Sequence, residues 1–197
     1  MTFKEKMAYL RSNIFYGRTV DLYPYGMEYL DDILRIRNQP EVKYFLNQDH
    51  DITRDEQMEW IKKYEARDDE AGQIIKNKRG EVVGMSFFLD YDPATNSMDF
   101  GRGTFDLAKI MGMPYALDAF SLQLDLFFDT LHMDLLRTSV KMDNVRLLKF
   151  YKKMNWSFVS VTTIRGQDYQ YMEMRPGQSK HKAYTHLIDH RENKVPG

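Results

Sequence analysis

The stretch DNVRLLKFYKKMNWSF, Asp143 to Phe158, opens with an Asp-Asn pair, runs through a short amphipathic helix and stops at Asn155. Asn144 stands at the mouth of that helix, where its side-chain oxygen can cap a free N–H. Asn155 stands at its end, where asparagine tolerates the left-handed backbone of a C′ residue. Before the helix, LLRTSVKMD alternates, with Leu136, Thr138, Val140 and Met142 on one face and Arg137, Ser139 and Lys141 on the other. After it, WSFVSVTTI and DYQYMEMR flank a turn at Gly166. The stretch therefore joins a strand to a hairpin through one helix.

Working outward, RTVDLYPY reads as a strand through Val20 and Leu22. MEYLDDILRIRN places Leu30, Ile33 and Leu34 on one helical face, and Asn38-Gln39-Pro40 ends that helix. Thr53 and Glu56 have capping-box spacing, so a second helix starts there, with Met58, Ile61 and Tyr64 inward. GQIIKNKRGEVVGMSFFLD predicts two strands about a turn at Asn77–Gly80. SMDFGRGTF reads as a further strand, in which Gly101 and Gly103 point to a bulge or a close backbone approach. From Pro114 onward, Leu117, Phe120, Leu124, Phe127, Phe128 and Leu131 recur at helical spacing. The order β-α-α-β-β-β-α-β-α-β-β predicts an α/β (α+β) domain with a mixed, mostly antiparallel sheet flanked by helices. Its limits are residues 18–176, between a leader at 1–17 and a polar tail at 177–197.

Composition narrows the function. The chain has 197 residues, 43% hydrophobic and 14% aromatic, enough for a sizeable core. With 28 basic and 29 acidic residues its formal charge is -1, so no charge excess favours nucleic acid or a membrane surface, and a small-molecule or peptide partner is expected. The lack of cysteine removes disulfides, thiolate-held zinc and a cysteine nucleophile. No apolar run has the length of a signal-peptide core or a membrane span, and a cytoplasmic protein is expected. His181, His186 and His190 have no partnering metal motif, and no metal site is expected.

The helix between the last strands, with Asn144, Tyr151, Lys153, Asn155 and Trp156 in order, resembles the GNAT superfamily of acetyl-CoA-dependent N-acetyltransferases. Asn155 stands where the family's glycine is usual. The segments RIRNQPEV and ITRDEQMEWI look like the branch that includes ribosomal-protein, spermidine and nucleotide-sugar amine acetyltransferases. The likeness spans Arg18 to Arg175. It implies transfer of an acetyl group from acetyl-CoA, as cosubstrate, to a primary amine of a small molecule. The acceptor expected is a nucleotide-linked amino sugar, with a polyamine or a protein N-terminus as alternatives, and a homodimer is left open.

The resemblance also implies roles for individual residues. Tyr151 would protonate the departing thiolate, since a phenol of pKa about 10 keeps its proton at neutral pH. By residue type alone Tyr151 reads equally as an aromatic packed on the sheet, and Asn144 as a helix cap. Phe100, Gly101, Arg102 and Gly103 of the glycine-bearing strand, with Asn144 and Lys153, would contact the cofactor arm. The family's phosphate loop corresponds to Lys109, Ile110, Met111, Gly112, Met113 and Pro114, with Lys109, Gly112 and Met113 as binding residues. Pro114 departs from the pattern, because proline offers no N–H and a lost bond to a charged partner costs about 1.5–3 kcal/mol. That departure supports a rival expectation, a degenerate domain that binds CoA or a partner without catalysis. The base is His50, in a loop where the family forms its acceptor pocket, although it also reads as a solvated loop histidine. Asp99, Glu41 or a water are alternatives.

Overall fold

The computed structural model describes residues 1–184 and 186–188. Its centre is an eight-stranded sheet in the order β1-β2-β3-β4-β5-β6-β8-β7. The strands are β1 Phe15–Tyr16, β2 Val20–Pro24, β3 Ala71–Asn77, β4 Val82–Asp92, β5 Ser97–Phe105, β6 Leu135–Lys141, β7 Ser157–Ile164 and β8 Gln167–Met174. Every neighbouring pair is antiparallel except β5 with β6. The helices are α1 Phe3–Ser12, α2 Leu30–Arg37, α3 Pro40–Phe45, α4 Arg54–Glu65, α5 Leu107–Ile110, α6 Tyr115–Leu124 and α7 Val145–Lys153. The mixed, mostly antiparallel sheet expected from the sequence is present, with helices on both faces. None of the described helices is long and apolar enough to cross a membrane.

Two cores divide the faces. The larger joins α1, α6, α7 and the sheet through Leu10, Phe88, Phe120, Phe127 and Met172. The smaller packs α2 and α4 on β3 and β4 through Ile33, Ile36, Ile61, Ile74 and Phe87. The capping box at Thr53 and Glu56 is formed, and the turn at Asn77–Gly80 closes the β3–β4 hairpin with a bond from Gly80 N to Asn77 O.

Several elements differ from the sequence reading. Residues 1–17, set apart there as a leader, carry α1 and β1, and Met7, Leu10 and Phe15 lie in the main core. Thr2 and Glu5 form a capping box of their own. Pro40 ends one helix and opens the next, because its fixed φ suits a first helical position. At the end of β6, Met142 is exposed while Lys141 is buried, its Nζ donating to Tyr44 O at 2.6 Å. Beyond β8 the chain folds back, with His181 buried and its Nε2 3.0 Å from Asp125 Oδ1. His186 is exposed, and His190 lies outside the described residues.

Buried carboxylates fasten the helices to the sheet. Asp118 of α6 accepts from Thr19 N, Thr19 Oγ1 and Val20 N at the start of β2. Asp106, after β5, pairs with Arg35 of α2 and accepts from Gln39 Nε2 at 3.1 Å. Truncating Asp118 strands two buried N–H groups. Asp118→Ala is therefore expected to lower unfolding free energy by about 3 kcal/mol, read from urea midpoints, against about 0.5 or less for an exposed control such as Asp31→Ala.

Candidate active site

The site begins where two strands part. β5 pairs with β6 only at Ser97↔Leu135, Met98↔Leu136 and Asp99↔Arg137. Beyond these pairs β5 follows β4 and β6 follows β8. The cause is a bulge in β5. Thr104 faces Met85 and Gly101 faces Phe87, so Arg102 and Gly103 together oppose Ser86 alone. Arg102 takes a left-handed φ of 50° there. A bulge bends its strand and sharpens the local twist, which here opens a gap beside β6. One side-chain bond crosses it, from Thr138 Oγ1 to Phe100 O at 2.8 Å.

A cavity of about 280 Å³ opens beside β5 along the stretch that has left β6. Phe100, Gly103 and Thr104 of β5 form one wall, and Phe120 and Gln123 of α6 another. Asn144, Leu147, Phe150 and Tyr151 of α7 face them, and Glu41, Val42 and Phe45 of α3 complete the lining. A β-carbon built on Gly103 would meet no atom within 4 Å. It would stand in space that a guest could fill. The Thr104 hydroxyl is buried without a partner, a donor and acceptor left over for such a guest.

Helix α7 places Tyr151 with little freedom. Leu147 N donates to Asn144 Oδ1 at 3.1 Å, which starts the helix. Asn155, at φ 71°, ends it with bonds from Trp156 N to Tyr151 O and from Asn155 N to Lys152 O. The Tyr151 ring then rests 4.9 Å from Trp156 and 5.9 Å from Phe120. Burial pushes its phenol well above the ordinary tyrosine value, and a hydrogen bond with Thr138 opposes this only in part. The phenol therefore keeps its proton in water-poor surroundings. Asn144 both caps the helix and lines the cavity, so its two readings coexist.

Residues 20–157 match the family described as acetyltransferase (GNAT) domain. The chain belongs to the GNAT acetyltransferases. No curated protein matches it in sequence. Among solved structures, a GCN5-related N-acetyltransferase from Brucella melitensis is 19% identical with a TM-score of 0.71, covering 92% of this chain and 84% of that one. Apo FdhC, described as a nucleotide-linked sugar GNAT, is 18% identical with a TM-score of 0.74, covering 90% and 97%. Spermidine N-acetyltransferase from Vibrio cholerae, solved with CoA and spermine, is 15% identical with a TM-score of 0.71, covering 81% and 97%. At these identities the likeness is one of fold.

In this GNAT domain the other residues singled out by sequence fall on different surfaces. Phe100, Gly103, Asn144 and Tyr151 share the cavity, while Gly101, Arg102, Lys109, Gly112, Met113, Lys153 and His50 do not line it. Lys109 is 3.4 Å from Glu81. Lys153 lies over the Tyr184 ring at 4.4 Å. His50 is on the exposed loop before α4, with Nδ1 2.7 Å from Asp49 and Nε2 3.2 Å from Glu56. Hydrogen bonds to Asp49 and Glu56 raise its pKa, and both ring nitrogens are engaged outside the cavity, away from any acceptor amine there. Asp99 is tied to Arg137 at 2.7 Å on the face away from Phe100. Of Asp99 and Glu41, Glu41 is the one that borders the cavity.

Pro114 is the N-cap of α6, and Asp118 N donating to Pro114 O is the first helical bond. The donors of the first turn are then Tyr115, Ala116 and Leu117, all of which keep their N–H. The proline withholds none of them. What neither composition nor periodicity revealed is α3, whose apolar side closes the cavity. Its hold is specific, since Tyr44 hydrogen-bonds Asp143 and its ring stacks under Lys141 Nζ at 4.3 Å.

The bridge across the gap is testable. Thr138→Val preserves volume but leaves the Phe100 carbonyl without its donor. It is expected to lower stability by about 1–2 kcal/mol in urea denaturation, and an unchanged midpoint would show that the bridge does not hold the strands.

Proposed function

We propose that this acetyltransferase transfers the acetyl group of acetyl-CoA to the primary amine of a small molecule, a nucleotide-linked amino sugar. The observation that carries the reading is a buried Tyr151 phenol, which burial keeps protonated, lining a cavity beside β5 where it has left β6. The fit of the cosubstrate rests on three features of the chain. Gly103 leaves room, the strand edges beyond Asp99 carry backbone groups without ladder partners, and the start of α6 offers N–H groups and a dipole suited to phosphate. When bound, acetyl-CoA supplies an activated acyl carbon and a thiolate leaving group.

The chain's own residues then have three tasks. The edges of β5 and β6 orient the arm by hydrogen bonding, Phe120, Leu147 and Phe150 exclude water, and the Tyr151 oxygen delivers its proton to the departing sulfur. The amine must arrive neutral. For an amine of pKa about 10.4 that costs roughly 4.6 kcal/mol at pH 7, and less for a weaker base such as a sugar amine. Glu41, at the rim on α3, is placed to take the proton that the amine releases, directly or through water. It replaces His50 in that role, because the ring nitrogens of His50 are engaged by carboxylates outside the cavity.

A sugar on a nucleotide carrier agrees with the likeness to FdhC, described as a nucleotide-linked sugar GNAT. A polyamine would call for several carboxylates around the cavity, and Glu41 is the one among its lining residues. The degenerate, non-catalytic alternative draws its support from Pro114, which as an N-cap withholds none of the first-turn donors.

Tyr151→Phe removes one oxygen and keeps the ring contacts. It is expected to lower kcat by about 10²-fold or more while acetyl-CoA affinity changes less than about threefold. Because burial raises the phenol's pKa, the protonated form persists as pH rises. The wild-type rate should therefore climb with pH as the acceptor amine deprotonates, then stay level through about pH 10, where an unperturbed tyrosine would already be losing its proton. A Tyr151→Phe enzyme that retains full kcat contradicts the assignment.

A further inference from the structure

On the side of the β5 bulge away from Phe100, two arginines stand around Tyr25, Arg102 over the Trp60 and Phe87 rings that pack on it and Arg37 through Gln57, which bonds its hydroxyl. The Arg102 guanidinium lies over the rings of Phe87, at 5.3 Å, and Trp60, at 5.6 Å. Its Nη1 is 2.7 Å from Glu70, whose side chain is only 2% exposed and also lies 3.8 Å from Arg67. Arg37, the last residue of α2, is half-buried, and its Nη1 donates to Gln57 Oε1 at 3.1 Å. Its buried Nε has no partner, and no carboxylate among the described residues pairs with it. Gln57 in turn spends its amide on the Tyr25 hydroxyl at 3.1 Å. Burial and the nearby Arg102 charge both act against the Arg37 cation.

A guanidinium does not shed its proton in a protein. A partly desolvated one with a single neutral acceptor is a charge without a counter-ion, an arrangement that an arriving anion relieves. Its planar fork suits the paired oxygens of phosphate or carboxylate. The position also fits an acceptor that reaches the cavity from the α2–α4 side of the sheet. Phe87, under Arg102, packs in the same core as Val42 of α3, which lines the cavity.

We infer that Arg37 and Arg102 form an anion subsite beside the cavity, which holds a phosphate or carboxylate group of the amine acceptor against Trp60. The inference rests on the acetyl-transfer reading and deepens it, because it selects an anionic acceptor over a polyamine. Glu70 neutralises Arg102 in the resting protein, and the Arg37 charge remains for the ligand.

The test uses CoA-saturated full-length protein, so that the cosubstrate's own phosphate site is filled. Calorimetric titrants are inorganic pyrophosphate, glucosamine 1-phosphate, glucosamine, glutamate and spermidine. Wild type should bind glucosamine 1-phosphate at least tenfold more tightly than glucosamine. Arg102→Gln and Arg37→Gln should each erase that advantage, and each should weaken pyrophosphate at least tenfold. Arg102, being the more exposed, carries the test if Arg37→Gln fails to fold. Preference for glutamate over glucosamine 1-phosphate would assign the subsite to a carboxylate, and the reverse to a phosphate. Equal affinity for glucosamine and its phosphate, or unchanged pyrophosphate binding in both variants, overturns the inference. Turnover of the same amines separates the two claims. Binding as expected with no acetylation of any amine sinks the transfer reading and leaves the subsite, whereas efficient acetylation of spermidine with indifference to Arg37→Gln does the reverse.

Discussion

The ladder between β5 and β6 stops after the pair Asp99↔Arg137, and beyond it a bond from Thr138 Oγ1 to Phe100 O reaches across. Backbone groups inside a protein are almost always paired, so a parting of two central strands has to be held open by its surroundings. Here the bulge at Arg102–Gly103 bends one strand away, and Phe120, Phe150 and Tyr151 fill the face behind. On the other side α3 closes the opening through Tyr44, which is fastened to both Asp143 and Lys141. The cavity and the spare hydroxyl of Thr104 both lie along the stretch where β5 has left β6, and Tyr151 reaches that cavity from the aromatic packing of Phe120 and Trp156.

Much of this frame was legible in the sequence. The alternation in β6, the helix between Asn144 and Asn155 and the glycines of β5 each signal themselves through local rules of period, capping and backbone freedom. The left-handed Asn155 and the bulge appear where those rules put them. Local signals underlie the other differences as well. The leader contains a Thr-x-x-Glu capping box at Thr2, and Pro40 serves as both a stop and a start.

The site was harder to read because its decisive contacts are between residues distant in sequence. Lys141 looks like a solvent-facing residue until Tyr44 supplies it with a carbonyl and a ring. His50 has the residue type of a base, yet Asp49 and Glu56 engage both its ring nitrogens on the surface. Arg37 reads as the cationic last turn of a helix, favourable to the dipole on its own. Only the arrival of Arg102 from β5, 65 positions away, makes it one of two cations on one side of the bulge. Charge placement, unlike periodicity, is a property of the folded chain.

The central claim is that the gap between β5 and β6 receives acetyl-CoA, and Gly103 gives the most direct access to it. Calorimetric titration of acetyl-CoA into wild type and Gly103→Val compares the two with the fold unchanged, since a β-carbon at that position touches nothing in the free protein. The account predicts micromolar binding to wild type and a loss of at least tenfold in the variant at an unaltered melting temperature. Equal affinity in both proteins, or no binding to wild type at millimolar ligand, would contradict it.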